Sequence, residues 1–105
     1  MKIRVVIAKP GEAPVVAEID NGLRAMQEVV GGLVELVQVG DLDVWVNEEG
    51  LLLELPFNRE IAGIPMVGPI LVAASTKSGK TRGLTDAQVA RAFSMLAATQ
   101  YEYLA

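Results

Sequence analysis

The residues whose types and spacing come nearest to a known chemistry are Ala74-Ser75-Thr76-Lys77-Ser78-Gly79-Lys80-Thr81. They follow an apolar run and match the phosphate-binding loop pattern G-x-x-x-x-G-K-[ST] except that alanine replaces the first glycine. In such a loop the helix begins at the lysine and threonine, so that its first amides face the phosphates. Here the helix-start signal falls later, at Thr85, and no second acidic strand end is placed to hold magnesium. Nucleotide hydrolysis is therefore not expected. What remains is a basic loop that could hold an anion: Lys77, Lys80 and Arg82 supply charge, Ser78 and Thr81 supply hydroxyls, and Gly79 leaves its amide accessible.

A second candidate is Asn58-Arg59, because a guanidinium held in an irregular loop grips a carboxylate or phosphate with two parallel bonds. The alternative is local: Arg59 pairs with Glu60 or Glu54, or caps loop carbonyls. Glu48 and Glu49 resemble a pair of catalytic acids only on paper, since neighbours at a turn point apart and no third ligand accompanies them. Trp45 reads as half-buried core, and Tyr101 with Tyr103 as an interface or a frayed tail.

The chain has no histidine and no cysteine. That removes histidine-based triads, thiol nucleophiles, imidazole or thiolate metal sites and disulfides. No cofactor or metal site is expected, and the chain reads as noncatalytic. With 105 residues and a formal net charge of −4, it fits one domain spanning 1–105, and its charge argues against broad nucleic-acid binding. No apolar run reaches the length of a membrane span, so a soluble, unprocessed cytoplasmic protein is expected. Half of the residues are hydrophobic but few are aromatic. That aliphatic excess points to a homo-oligomer.

The elements that must position these residues are legible from periodicity and breakers. Lys2 to Ala8 and Val15 to Ile19 form a hairpin around Pro10-Gly11. A short helix follows, capped from Asp20-Asn21-Gly22, carrying Leu23, Met26, Gln27 and Val30 on one face and ending at Gly31-Gly32. Leu33 to Val39 and Leu42 to Val46 are strands. Asn47-Glu48-Glu49-Gly50 reads as a tight turn into a further strand, Leu51 to Leu55, buried on both faces or ending against another layer. Phe57 to Glu60 reads as a polar loop or one helical turn. Pro69 to Ala74 is a central strand, and Ser75 to Gly83 a polar loop. Thr85 and Gln88 have capping-box spacing ahead of a helix with Val89, Ala92, Phe93, Leu96 and Ala97 inward and Arg91 and Ser94 outward. The expected fold is α+β: a mostly antiparallel sheet of about five or six strands covered by two helices.

Several segments in this order, Ile19-Asp20-Asn21-Gly22-Leu23, Gln27 to Gly32, Asn47 to Gly50, Leu55 to Arg59, Val67-Gly68-Pro69 and Leu84 to Gln88, resemble a family of small phage- and plasmid-borne proteins, domain of unknown function 3846. The first loop and Ser75 to Arg82 depart from it. The resemblance implies an accessory protein of a mobile element, acting in the cytoplasm of a bacterial host. Joined to the basic loop and the lack of catalytic groups, it leads to a binding protein that captures a small phosphate-bearing ligand, such as a nucleotide-type signal, in counter-defence. The alternative is an inhibitor or adaptor that binds a host protein through an acidic or aliphatic surface.

Overall fold

In a computed structural model, residues 1–104 are described, with side chains described through residue 97. The order is β1 (Lys2–Ala8), β2 (Val15–Asp20), α1 (Leu23–Val30), β3 (Val34–Val39), β4 (Leu42–Asn47), β5 (Phe57–Ile61), β6 (Ile64–Val67), β7 (Ile70–Ser75), β8 (Thr81–Arg82) and α2 (Asp86–Leu104). The main sheet is antiparallel, ordered β2-β1-β7-β4-β3, with β8 paired to β7, and β5 and β6 form a separate hairpin. The protein is thus an α+β fold with two helices, as its sequence pattern predicts.

β7 is the centre because every one of Ile70 to Ala74 is apolar and both its faces are covered. Alternation sends Ile70, Val72 and Ala74 to one core, where Val6, Val44, Ile61, Met66, Ala92 and Leu96 meet them. Leu71 and Ala73 join Ile3, Val5 and Met26 in the other. The β5–β6 hairpin and α2 therefore lie over one face, and α1 over the opposite one.

α1 ends as the paired glycines require: Gly31 takes a left-handed conformation, and the amides of Gly31 and Gly32 both donate to the carbonyl of Gln27. Its start differs from expectation. The N-cap is Gly22, which has no side chain to accept from the first helical amides, while Asn21 Nδ2 donates to the carbonyl of Thr81. α2 starts with a reciprocal capping box: Gln88 Oε1 accepts from the Thr85 amide at 2.9 Å, and Thr85 Oγ1 accepts from the Gln88 amide at 3.2 Å. Gln88 and Arg91 also donate to the carboxylate of Asp41 in the β3–β4 turn, with Arg91 Nη2 at 2.8 Å from Oδ2. Bonds from Arg91 first and Gln88 second hold the Asp41 pKa down at about 2.

Two segments depart from the pattern reading. Leu51 to Leu55 is no strand. The Asn47 Oδ1 accepts from the Glu49 amide, and the amides of Leu53, Glu54 and Leu55 donate to the carbonyls of Glu49, Leu51 and Gly50, closing the chain into a coiled turn. Local bonds thereby satisfy donors that a strand would pair across a sheet. Gly50 makes this possible, since a Cβ there would lie 2.7 Å from Val67 Cγ2. β4 consequently finds its partners in β3 and β7, not in a hairpin with residues 51–55.

The second departure is Phe57 to Glu60, which is strand β5 and not a loop or helical turn. A register irregularity between Phe57 and Arg59 turns Asn58 inward, where its Nδ2 donates to the carbonyls of Ala8 and Gly68 at 2.8 Å each. Polar residues hide the strand from a hydrophobic pattern because they serve buried carbonyls. Trp45 is half-buried in the α1-side core, and the Tyr101 and Tyr103 side chains lie outside the described residues.

Candidate functional site

The structure places the two anion-site candidates of the sequence, the basic loop and Asn58-Arg59, apart from each other. Lys77, Ser78, Gly79, Lys80, Thr81 and Arg82 sit on the β7–β8 hairpin. Its backbone is closed on itself, with the Thr76 amide donating to the Lys80 carbonyl at 2.7 Å and the Gly79 amide to the Thr76 carbonyl at 2.9 Å. The hydroxyls of Thr76 and Ser78 share a hydrogen bond of 2.9 Å, and the Lys80 amide donates to Thr76 Oγ1. These amides are therefore committed to the turn and do not form an open phosphate cradle.

Around the base of this hairpin lies a cleft of about 480 Å³ into which Lys2, Arg4, Asn21, Lys80, Thr81 and Arg82 bring their side chains or backbone. Much of its charge is already spent. Lys2 pairs with Asp20 at 3.2 Å, Arg4 with Asp86 at 2.7 Å, and Arg82 donates to the Gly83 carbonyl. Lys77 and Lys80 have no ion-pair partner among the described residues.

Asn58 and Arg59 lie elsewhere. They are anchored at the Ala8 end of β1 and in the loop after it, whereas the basic cleft is built around the Lys2 and Arg4 end. Arg59 is fully buried, and its Nη2 donates to the Glu12 carbonyl at 2.8 Å, while Nε and Nη1 have no hydrogen-bond partner among the described residues. Burial pushes its pKa down. Its one bond is of the carbonyl-capping kind. The sequence pattern gives no warning that so large a cation is enclosed.

A second concavity, missed by motif reading, opens between the β3 edge, the turn after β4 and β6. It has a volume of about 470 Å³. Val37, Val46 and Met66 form its floor, and Leu51, Leu52 and Ile64 stand at its rim beside the exposed carboxylates Glu35 and Glu48. Leu51 and Leu52 are each 82% exposed and Leu53 is 56% exposed. One signal for this surface was present in the sequence: positions 25 to 58 contain no lysine or arginine, yet hold Glu28, Glu35, Asp41, Asp43, Glu48, Glu49 and Glu54. The leucine run itself misled, because the same letters describe a buried strand and a displayed turn.

Among the described residues, no group of three histidine, cysteine, aspartate or glutamate side chains converges as metal ligands, and no helix is long and apolar enough to cross a membrane. The fold and the two concavities described above define a small α+β domain whose distinguishing surfaces are a basic cleft and an acidic-rimmed apolar groove. By sequence the chain belongs to the family described as domain of unknown function DUF3846, which it matches over residues 1–97. No curated protein and no solved structure matches it.

Proposed function

We propose that this protein is a noncatalytic accessory protein of a phage or other mobile element, working in the bacterial cytoplasm as an inhibitor or adaptor that docks on a host protein. The observation that carries this reading is the Leu51-Leu52-Leu53 turn, which displays three consecutive leucines beside an apolar groove. Isolated exposed leucines are ordinary. A contiguous aliphatic patch with polar margins is characteristic of an interaction surface, because burying it on a partner recovers the hydrophobic free energy that the monomer forgoes.

A test places a photoreactive leucine analogue at position 52 or, as a control, at position 77, and irradiates the protein in host extract. The reading expects a discrete adduct from position 52 that is absent from position 77. Adducts from position 77 alone, or from neither, count against it.

A second reading is favoured by Lys80, which reaches the basic cleft without an ion-pair partner among the described residues. In that reading the cleft captures a small phosphate-bearing ligand of the nucleotide-signal type, as a counter-defence. Calorimetry with nucleotides and cyclic nucleotides, using Lys77→Gln/Lys80→Gln/Arg82→Gln as the comparison, tests it. Loss of binding with an unchanged fold supports capture, and equal binding by the triple variant removes it.

A further inference from the structure

We infer, on the basis of the docking surface proposed above, that the occupant of the 470 Å³ groove is a cationic amphipathic segment of another protein. Its apolar side chains would sit on Val37, Val46 and Met66, and its lysines or arginines would meet Glu35 and Glu48. The argument is charge complementarity around an apolar floor. Glu35 and Glu48 line the groove, Glu49 and Glu54 are exposed beside it, and none of the four has an ion-pair partner among the described residues. No cation among the described residues pairs with them. Positions 25 to 58 contain none, and the next in sequence, Arg59, is buried and bonded to the Glu12 carbonyl.

The same charges discriminate between occupants. A second copy using this groove in a two-fold contact would set the same carboxylates against one another, a like-charge juxtaposition that disfavours association. An acidic segment meets the same repulsion. A basic segment instead gains faster encounter from the acidic rim and hydrophobic burial from the leucines, so that steering and holding come from different atoms. These separate contributions make the inference testable by separate variants.

The experiment is fluorescence polarisation on the full chain with three dye-labelled probes. They are a synthetic leucine–lysine peptide with its leucines on one helical face, a scrambled peptide of the same composition, and the patterned peptide with glutamate replacing lysine. The expected result is binding of the patterned basic peptide at least roughly tenfold tighter than of either control. Leu51→Ser with Leu52→Ser should weaken it by roughly tenfold or more. Glu35→Gln with Glu48→Gln should weaken it and flatten its dependence on salt. Amide shifts of the unmodified protein, expected at positions 35, 37, 46, 48, 51, 52 and 66, keep the test valid should a variant fail to fold. Equal binding of the scrambled peptide, or shifts confined to other surfaces, overturns the inference. Tight binding of the glutamate peptide, lost in the leucine variant, overturns the basic chemistry while leaving the docking surface standing. Patterned-peptide binding that is indifferent to the leucines overturns both, as does no binding by any probe. Self-association abolished by the leucine variant would assign the groove to a second copy and overturn the cationic partner.

Discussion

Arg59 sits with its guanidinium wholly enclosed and, among the described residues, only one of its nitrogens bonded, to the carbonyl of Glu12. Taking a cation out of water is costly unless a counter-charge and several hydrogen bonds replace the solvent. One carbonyl does not. The long aliphatic stem of arginine, by contrast, packs as well as any methionine. Arg59→Met should therefore leave stability unchanged or raise it by about 1 kcal/mol or more, because it keeps the apolar volume and removes the buried charge. Urea denaturation beside the wild type measures this. A loss of about 3 kcal/mol would mean that the guanidinium has a strong anionic partner in solution. The sequence makes Arg59 visible as a chemically capable residue but not as an enclosed one. Its neighbours Asn58 and Glu60 are polar, and burial here follows from a strand irregularity and from the carbonyls of Ala8, at the end of β1, and Glu12, in the loop after it, a segment about fifty residues away.

The helices show where element-scale reading succeeds and where it fails. α2 is legible because its signals agree: Thr85 and Gln88 have the spacing to bond each other, Leu84 precedes them, and the inward positions recur at helical period. Thr85→Ala should cost about 1 kcal/mol in the same denaturation assay, and no change would move the helix start away from this cap. The Leu51 to Leu55 segment is illegible for the opposite reason. Its composition fits either environment, and the choice is made by Asn47, whose side chain nucleates a turn, and by the Gly50 approach to Val67. The tie between α2 and the β3–β4 turn makes a further prediction. The Asp41 carboxyl is held at about 2, below the ordinary value of 3.8, so whatever it adds to stability is complete above the unfolded value. That contribution fades as pH falls from about 4 toward about 2. Carbon-detected NMR titration should find Asp41 titrating near 2 in the parent and closer to 3.8 in Arg91→Ala. An unchanged midpoint in the variant would show that the Arg91 bonds do not persist in solution.

Across the whole molecule, charge and apolar surface are segregated in a way that no single motif records. The hairpin at residues 75–82 and the start of β1 concentrate cations, the groove beside β3 concentrates carboxylates, and the sheet between them is filled by β1, β7 and β4. This leaves the opposite margin of the sheet, β2, as the place for the self-association that an aliphatic excess predicts. β2 pairs only with β1 among the described residues, and its Val15 and Val16 are 54% and 48% exposed in adjacent, oppositely facing positions. An open edge carrying exposed valines is a template for pairing with a second copy, since its backbone donors and acceptors face outward and its side chains gain burial on both faces. The groove, with its unneutralised carboxylates, is the poorer surface for like to meet like. Light scattering at high micromolar concentration should accordingly find a particle heavier than the 11.2 kDa chain. Val16→Lys, which places a charge on that edge, should return it to monomer while leaving the patterned basic peptide bound at the groove with unchanged affinity. A parent that scatters as 11.2 kDa throughout would remove the self-association argument. A Val16→Lys protein that stays associated but comes apart when Leu51 and Leu52 are changed to serine would move the contact to the groove, and its carboxylates would then need cations from the second copy's basic cleft, a head-to-tail geometry that lengthens with concentration instead of stopping at two.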